Sequence, residues 1–538
     1  MKVLGINLGH NGSACVLEHG EILDYLEEER LSRIKRDTGA KNVVKYFLEK
    51  YPDIEYAIFA EAYTRQTSET YINSLKAKKY LTNLLNSYSV ETIDYRNMHH
   101  LCHAASGFYG SGFNTAVCVI LDGKGSTHTK NGIRYSEIES IYYYKDGIFK
   151  PIFKHHSTFA SLKECKKQDK IYSKGINLYS DRFSIGQAFR TVSSYCGFDE
   201  PEGGKTMGLS TFGKENGEPL FTFIDGHYFA SNTLLYPRND AGWGKYYGED
   251  VPKEDLAYNV QKCGEHLSLS IIRKAVKLTG CNNVVVSGGF FMNCVSNYNL
   301  RKNLNINLYV DPICYDGGTA IGSAKFFYHK KIKNKNSMTQ LKTLYLGPIY
   351  DLSHIEGNDV TYEDVAKLIS EKNIVAMFQG RSEAGPRALG NRSILYDPRD
   401  PNGKDHVNII KKREAFRPFA GTILKEHVHQ WFDMAGLEES PFMMYAVDAL
   451  DHTYDKIPAI LHVDNTCRVQ TVTKEQNQHY YNLIDAFNNL TGVPILFNTS
   501  FNLAGEPLVE TPDDALKTFY NSDIKYLYFP EVGKLIVK

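Results

Sequence analysis

The stretch "KVLGINLGHNGSACVLEHGEILDYLEEER", Lys2 to Arg30, decides how the fold begins. "KVLGINLG" is a β-rich apolar run that stops at a polar, glycine-bearing turn, the pattern of a buried strand meeting a hairpin. The chain resumes with "SACVLEHGEILDYLEEER", where "HG" at His19 and Gly20 divides two apolar stretches ahead of a helical segment. The reading is strand, turn, strand, turn, strand, helix. A second run, "TAVCVILDG" ending at Asp122 and Gly123, weakly repeats the region around Asn7, so a duplicated unit is expected.

Farther along, "NNVVVSGGFFMNCVSNYNLRKN" reads as a strand ending at Ser287, Gly288 and Gly289, with a helix from near Met292. "INLYVDPICYDGGTAIGSAKFFYH" repeats that plan with a glycine turn at Asp316, Gly317 and Gly318 and a helix of small residues. Such alternation argues for an α/β fold. The basic, polar stretch "HKKIKNKNSMTQ", His329 to Gln340, interrupts the apolar pattern and is the expected linker. It divides residues 1–340 from residues 341–538, a second domain with its own apolar runs "IVAMF" and "VPILFN".

Composition narrows the partners. At 538 residues the chain is too long for one ordinary core. Its 62 Lys and Arg balance its 62 Asp and Glu, so no global field recruits a nucleic-acid polymer or an anionic membrane. The start lacks the charged, apolar and cleavage regions of a signal peptide, and no apolar run reaches membrane length. A soluble, cytoplasmic protein is expected. Ten scattered cysteines without a C-x-x-C pair fit neither a zinc ribbon nor a disulfide scaffold.

The first domain carries "MHHLCHAASGFYGSGF", Met98 to Phe113. On a helix, His99 and His103 share a face one turn apart, so their imidazoles can converge on a metal ion, while His100 points elsewhere. Two ordinary helix histidines are the alternative. Asp316, at a strand end, could add a carboxylate, leaving open positions of the kind a Lewis-acid site needs. Fe2+ or another divalent ion suits that set better than a thiolate-seeking one. The turns "DGKGS", "EGGKTMG" and "SGG" let backbone N–H groups approach phosphate oxygens, although each alone reads as a simple hairpin turn. Taken together they point to a nucleotide, with Gly123, Gly125, Lys205, Gly288, Gly289, Asn293 and Gly317 as the candidate contacts.

The second domain carries "FQGRSEAGPRALGNRSILYDPR", with four arginines from Arg381 to Arg399, and then "NIIKKREAFRPFAGTIL". Guanidinium forks bind phosphate or carboxylate in bidentate fashion, so a small polyanion is the expected partner. A solvated basic face or structural ion pairs are the alternative. Arg468 in "HVDNTCRVQTV" adds a further cation. "LFNTSFNLAGEP" ends a strand in residues able to hydrogen-bond a small planar group, Asn498, Ser500 and Asn502. Ser500 lies outside any G-x-S-x-G elbow and is read as a binding residue.

In order, "GINLGHNGSACVL", "HHLCHA", "ILDGKGS", "GGKTMGLSTFG", "SGGFFMN" and "DGGTAIGSA" resemble the N-terminal domain of the NodU/CmcH/TobZ family of O-carbamoyltransferases. "EAGPRALGNRSILYDPR", "KKREAFRPFAG", "HVDNTCRVQTV" and "FNTSFNLAGEP" are similar to its YrdC-like C-terminal domain. The resemblance implies an actin-like, sugar-kinase-like ATPase fold of the TsaD type, with duplicated subdomains, joined to a YrdC-like α/β domain. It further implies that the second domain makes carbamoyl adenylate from carbamoyl phosphate and ATP accompanied by Mg2+. Arg387, Lys412, Arg413, Arg417 and Arg468 are then expected to stabilise charge, and Asn498 and Ser500 to hold the small group. By the same resemblance, His99, His103 and Asp316 hold a metal in the first domain, where His10 or Asp122 takes the proton of an acceptor hydroxyl. Asn11 stands where many relatives carry an acidic residue. The acceptor is expected to be a small alcohol: a sugar, a natural product or a hydroxymethylated pyrimidine nucleotide. A tRNA threonylcarbamoyl-transfer enzyme and a nucleotide-gated binding module are the competing readings, and a homodimer is compatible with all three.

Overall fold

The computed structural model describes residues 1–62, 69–158, 171–199, 202–216, 220–224, 227–230, 251–332 and 339–538. Residues 333–338, the middle of the expected linker, lie outside them. The chain packs as two compact units, Met1–Leu23 with Asp37–Leu341, and Asp24–Arg36 with Lys342–Lys538.

In the first unit, β1 (Lys2–Asn7), β2 (Ser13–Glu18), β3 (Glu21–Glu27), β4 (Ile54–Ala60) and β5 (Glu91–Asp94) form a sheet of order β3-β2-β1-β4-β5. β1 runs antiparallel to β2 and parallel to β4, which is parallel to β5. A second sheet contains β6 (Ala116–Leu121), β7 (Thr127–Lys130), β8 (Ile133–Lys145), β9 (Ile148–Thr158), β10 (Tyr172–Lys174) and β11 (Asn177–Ser180). β12 (Phe221–Ile224) and β13 (His227–Ala230) make a separate hairpin, and β14 (Asn283–Ser287) and β15 (Asn307–Val310) complete the second sheet. Its centre, β9-β8-β6-β14-β15, repeats the first arrangement: two antiparallel pairings, then two parallel ones. The duplication expected from the similarity of the Asn7 and Asp122 regions is therefore a duplication of topology.

The strands that lead both sheets are buried along nearly their whole length, which is why "VLGIN" and "AVCVIL" read as continuous apolar runs without alternation. Among the helices, α1 (His99–Ser111), α2 (Lys253–Thr279), α3 (Cys294–Asn303) and α4 (Thr319–Ile332) position the site. The N-terminus of α1 is satisfied by Ser126 Oγ, which accepts from the His99 N–H at 3.1 Å, and Gly112 ends the helix in the left-handed region. Ala104, Ala105 and Phe108 of α1 pack on Ala116, Cys118, Ile120 and Val285. α4 crosses α1 so closely that a Cβ on Gly322 would fall 1.8 Å from the Cys102 carbonyl oxygen. The small residues of "GTAIGSA" thus mark a helix crossing.

The second unit is built on one ten-stranded mixed sheet. Its strands are β16 (Asn358–Asp359), β17 (Val375–Phe378), β18 (Arg392–Tyr396), β19 (Ala420–Leu424), β20 (Phe432–Asp433), β21 (Ala446–Ala449), β22 (Thr466–Val472), β23 (Ile495–Ser500), β24 (Tyr526–Phe529) and β25 (Lys534–Val537). Their order is β16-β25-β24-β17-β18-β23-β19-β22-β21-β20. Residues 24–36 belong here because Arg30 and Arg33 are tied to this unit. Arg30 is buried, donates to the Glu383 and Gly385 carbonyls at 3.3 and 3.1 Å, and lies 3.7 Å from the Glu510 carboxylate. Arg33 donates to the Leu508 and Pro507 carbonyls at 2.8 and 3.1 Å. The sequence divides the chain at residue 340 without this excursion, which no local motif announces.

The described cysteines are free thiols, all buried except the half-buried Cys281. Among the described residues, no helix is long and apolar enough to cross a membrane.

Candidate functional site

In the first unit the site gathers at the carboxyl ends of β1, β6 and β14 and after β15, where loops of an α/β sheet present side chains to ligands. α1 supplies His99 and His103, whose Nε2 atoms stand 3.1 Å apart. Asp316, in the turn before α4, places Oδ1 at 3.6 Å from His99 Nε2 and 3.7 Å from His103 Nε2. Asp122, following β6, brings Oδ2 to 3.2 Å from His99 Nε2 and accepts the Gly289 N–H on Oδ1 at 3.2 Å. One ligand atom from each of the four lies within 4.8 Å of the others, and all four residues are buried. Neither His99 Nδ1 nor His103 Nδ1 has a hydrogen-bond partner, so both imidazoles direct their Nε2 at the cluster. Donor atoms on one ion at about 2.0–2.2 Å lie about 3–3.5 Å apart, so the spacing fits a shared cation.

Burial works against charge on Asp122, but the hydrogen bond from His99 and the charges of His99 and His103 outweigh it and hold the carboxyl well below the usual range. Burial opposes charge on His99 as well, and the Asp316 and Asp122 carboxylates raise its pKa nonetheless. Asp122 is thus spent on the cluster, with both oxygens engaged.

His10 is different. Its side chain is 54% exposed, and Nε2 lies 3.2 Å from Asp316 Oδ2, on the carboxylate oxygen not turned to the imidazole pair. Asn7 shapes this turn: its Oδ1 accepts from the Gly9 N–H, and its Nδ2 donates to the His10 and Asn11 carbonyls at 3.2 and 3.0 Å. Asn11 takes φ +55°, a left-handed conformation that asparagine tolerates, and its Oδ1 meets His10 Nδ1 at 3.0 Å. Asn11 thus has a conformational and ring-orienting role.

The glycine turns divide. At Gly288 φ is +100°, and a Cβ would sit 2.3 Å from the Leu121 carbonyl oxygen. Gly289 adjoins Asp122, Gly125 packs on the His100 ring, and the Gly317 carbonyl accepts from Ser13 Oγ at 2.8 Å. A Cβ on Gly123 would meet nothing within 4 Å. Lys205 pairs with Glu202 at 2.7 Å on the helix Gly203–Leu209. Asn293 caps α3 and donates to Gln261 Oε1 at 2.7 Å. Asp311, which the sequence reading passed over, is buried behind the cluster and accepts from Ser287 Oγ at 2.9 Å.

In the second unit the arginine-rich stretch is largely structural. Arg381 binds Asp24, Arg392 lies buried over the Phe378 ring, and Arg399 chelates Asp397. Arg387 is half-buried beside them. The cations that converge come later. α5 (Gly403–Lys411) ends at Lys412, which has φ +52° and is exposed. The lysine that turns inward is Lys411, which the sequence places in the cation cluster but passes over for Lys412 as a charge-stabilising candidate; it is legible as the position four residues after buried Val407. Its Nζ donates to the Ser500 carbonyl, to Ser500 Oγ at 3.3 Å and to Asn502 Oδ1 at 3.2 Å. No partner in these bonds carries a charge.

Burial, then the neighbouring Arg413, Arg417 and Lys35 charges, push the Lys411 pKa well below the ordinary lysine range. Burial and the Arg417 and Arg468 guanidiniums lower Arg413 to about 9. Arg413 stacks on Phe419, and Arg417 reaches Glu414 only at 3.5 Å. A cavity of about 480 Å³ opens beside this group, lined by Asn408, Lys412 and Arg413 among others. Ala420 pairs with Arg468 on one side and Asn498 on the other, which sets those two residues on adjoining strands. Asn498 Nδ2 donates to Thr422 Oγ1 at 3.0 Å, while its buried Oδ1 has no partner.

The family "Carbamoyltransferase N-terminus" matches residues 2–325, and "Carbamoyltransferase C-terminus" matches residues 366–536. The chain belongs to the carbamoyltransferase family. It is an enzyme of carbamoyl transfer. Nodulation protein NolNO of Sinorhizobium fredii is 29% identical over 577 residues, covering 98% of this chain and 79% of the relative. An uncharacterized protein of Methanocaldococcus jannaschii is 30% identical over 461 residues, covering 80% of this chain and 72% of the relative. Full-length HypF in its phosphate- and nucleotide-bound form has a TM-score of 0.40 at 17% identity, covering 62% of this chain and 56% of that one.

Proposed function

We propose that this carbamoyltransferase is an ATP-dependent O-carbamoyltransferase with one reaction in each unit. In the second unit, carbamoyl phosphate and water give carbamate and phosphate. The carbamate oxygen then attacks the α-phosphorus of ATP, pyrophosphate leaves, and carbamoyl adenylate results. Support comes above all from Lys411, buried beside Arg413 and Arg417 with hydrogen bonds that all go to neutral groups, where the neighbouring cations outweigh the Glu506 carboxylate and an anion would relieve the excess positive charge. Lys411, Arg413, Arg417 and Arg468 would neutralise the charge that develops as pyrophosphate departs. The unpartnered Asn498 Oδ1 would accept a hydrogen bond from the carbamoyl amide.

In the first unit, the hydroxyl of a small acceptor alcohol attacks the carbamoyl carbon of the adenylate, the bond to the phosphate oxygen breaks, and AMP leaves. His10, half-exposed and oriented by Asp316 and Asn11, takes the hydroxyl proton on this reading. Asp122 is assigned to the buried cluster with His99, His103 and Asp316. The donor set of imidazoles and carboxylates fits a divalent ion, Fe2+ foremost, which when bound would supply Lewis-acid polarisation of the adenylate.

The full chain, given ATP, Mg2+, carbamoyl phosphate and a panel of sugars, natural-product alcohols and hydroxymethylated pyrimidine nucleotides, should release pyrophosphate only with carbamoyl phosphate present. One acceptor should gain a carbamoyl unit by mass spectrometry. His103→Ala should keep pyrophosphate release and lose transfer; Arg417→Ala should lose both. Pyrophosphate release indifferent to carbamoyl phosphate would refute the scheme.

A further inference from the structure

Apart from the site already described, the first unit buries a second group of ligand-type side chains: Glu139 on β8, His155 on β9 and His227 on β13. The register explains how they meet. Glu137 pairs with His156, but Glu139 pairs with His155, so β8 advances two residues where β9 advances one. This is a β-bulge at Ile138, and bulges re-aim side chains. In a regular strand Glu137 and Glu139 would share a face. Here Glu137 serves Lys154, while Glu139 turns to His155, on the opposite face of β9 from Lys154 and His156.

Both imidazoles approach the same carboxylate oxygen. Glu139 Oε2 lies 3.1 Å from His155 Nδ1 and 2.9 Å from His227 Nε2. The second contact lacks the direction of a hydrogen bond, and His227 Nε2 is buried without any hydrogen-bond partner. The other nitrogen of His155, Nε2, lies 2.6 Å from Ser180 Oγ, the kind of outer contact that orients a ligating imidazole. Glu139 and His155 are 1% exposed and His227 5%, so the carboxylate has little water to screen it. Two imidazole nitrogens thus converge on one oxygen of a buried carboxylate, with one ligand atom from each of the three residues within 4.8 Å of the others, and buried carboxylates are paired or bind metal.

We infer that Glu139, His155 and His227 form a second metal site, taking one divalent transition ion, zinc foremost, that ties β13 to β8 and β9. Two imidazole nitrogens and a carboxylate are a ligand set zinc accepts, and their burial makes the ion structural. Glu139 pairs across β6 with Leu121, the residue before Asp122, so the ion braces the strand pair that presents Asp122 to the other cluster.

The test uses the full chain, stripped of metal by a chelator and titrated with Co2+ and then Zn2+. In a background carrying His103→Ala and Asp316→Ala, about one ion per chain should remain bound, and the chain should melt at a higher temperature with Zn2+ than without. Adding His227→Gln should weaken binding about 10–100-fold or more and abolish the Zn2+-dependent rise. A background chain that is folded by circular dichroism and binds neither ion overturns the inference, as does His227→Gln retaining full affinity. If the variants do not fold, anomalous diffraction at the zinc edge from the Zn2+-loaded wild-type chain decides: a peak within bonding distance of the three side chains supports the site, and its absence there refutes it.

Discussion

Replacing Lys411 with methionine should separate ligand binding from folding, because the two act on this side chain in opposite directions. In the ligand-free chain, Lys411 carries a buried charge beside Arg413 and Arg417, and its pKa is depressed by that burial and those cations. Methionine matches its length, removes the charge and sacrifices hydrogen bonds to neutral acceptors. Replacing a buried charge by an apolar group of similar shape is often neutral or stabilising, so Lys411→Met should unfold within about 1 kcal/mol of wild type, or be more stable. Binding should suffer. At about 100 times its dissociation constant, pyrophosphate stabilises wild type by about 2.7 kcal/mol, or roughly 5–10 °C in a unit of this size. Losing a charged hydrogen bond worth about 1.5–3 kcal/mol weakens the ligand about 10–150-fold and leaves roughly 1–6 °C of that shift. Differential scanning calorimetry with and without pyrophosphate reads both quantities. A variant several kcal/mol less stable, with an undiminished ligand shift, would make Lys411 a structural residue and remove the main support for the anion site. The pH dependence has a definite sign. The folded chain releases the Lys411 proton at lower pH than the unfolded chain does. The destabilisation is therefore full below the folded-state pKa and disappears as pH rises through it toward 10.5. Over that window the ligand-free chain should gain stability, and the pyrophosphate shift should shrink.

Gly288→Ala should destabilise the first unit by about 2–4 kcal/mol, combining a glycine-only conformation with a Cβ forced against the backbone before Asp122, as urea unfolding would measure. Pyrophosphate release should persist in this variant, since the strain lies in the other unit. His10→Ala should slow carbamoyl transfer about 10²–10⁴-fold with thermal stability within about 0.5 kcal/mol of wild type, since the side chain is largely exposed; unchanged transfer kinetics would return the proton to another group.

Much of the plan was legible because central strands and glycine turns leave local marks. "VLGIN", "AVCVIL" and "NVVVS" are buried runs, and each ends where the first unit gathers its site. That His99 and His103 share a helix face was readable from their spacing, and that Asp316 sits in a turn ahead of a helix from its glycines. What escaped were positions fixed by long-range packing. The assignment of residues 24–36 to the second unit depends on Arg30 and Arg33 meeting residues more than 350 positions away, and no spacing rule reaches that far. Lys411 and Lys412 are indistinguishable as letters; the amphipathic phase of α5 separates them only once its start is known. The group Glu139, His155 and His227 depends on a bulge, and strict alternation would have put Glu139 on the wrong face. The arginine cluster misled in the other direction, since Arg381, Arg392 and Arg399 serve the fold.

The duplicated topology makes one comparison informative about where chemistry can arise. Asn7 and Asp122 stand at the ends of equivalent leading strands, β1 and β6, one closing its strand and the other following it. Asn7 must donate to two carbonyl oxygens to hold the turn that carries His10. A carboxylate there would set lone pairs against both carbonyls and release the turn. Asp122 must instead accept, from the Gly289 N–H, while its other oxygen faces His99 Nε2, and an amide there would remove the negative charge from the cluster. The two halves therefore share a backbone plan but need opposite hydrogen-bonding characters at the same place. The half with the amide shapes a solvent-facing turn and the half with the carboxylate builds the buried cluster, so that His10 meets Asp316 at the boundary between them.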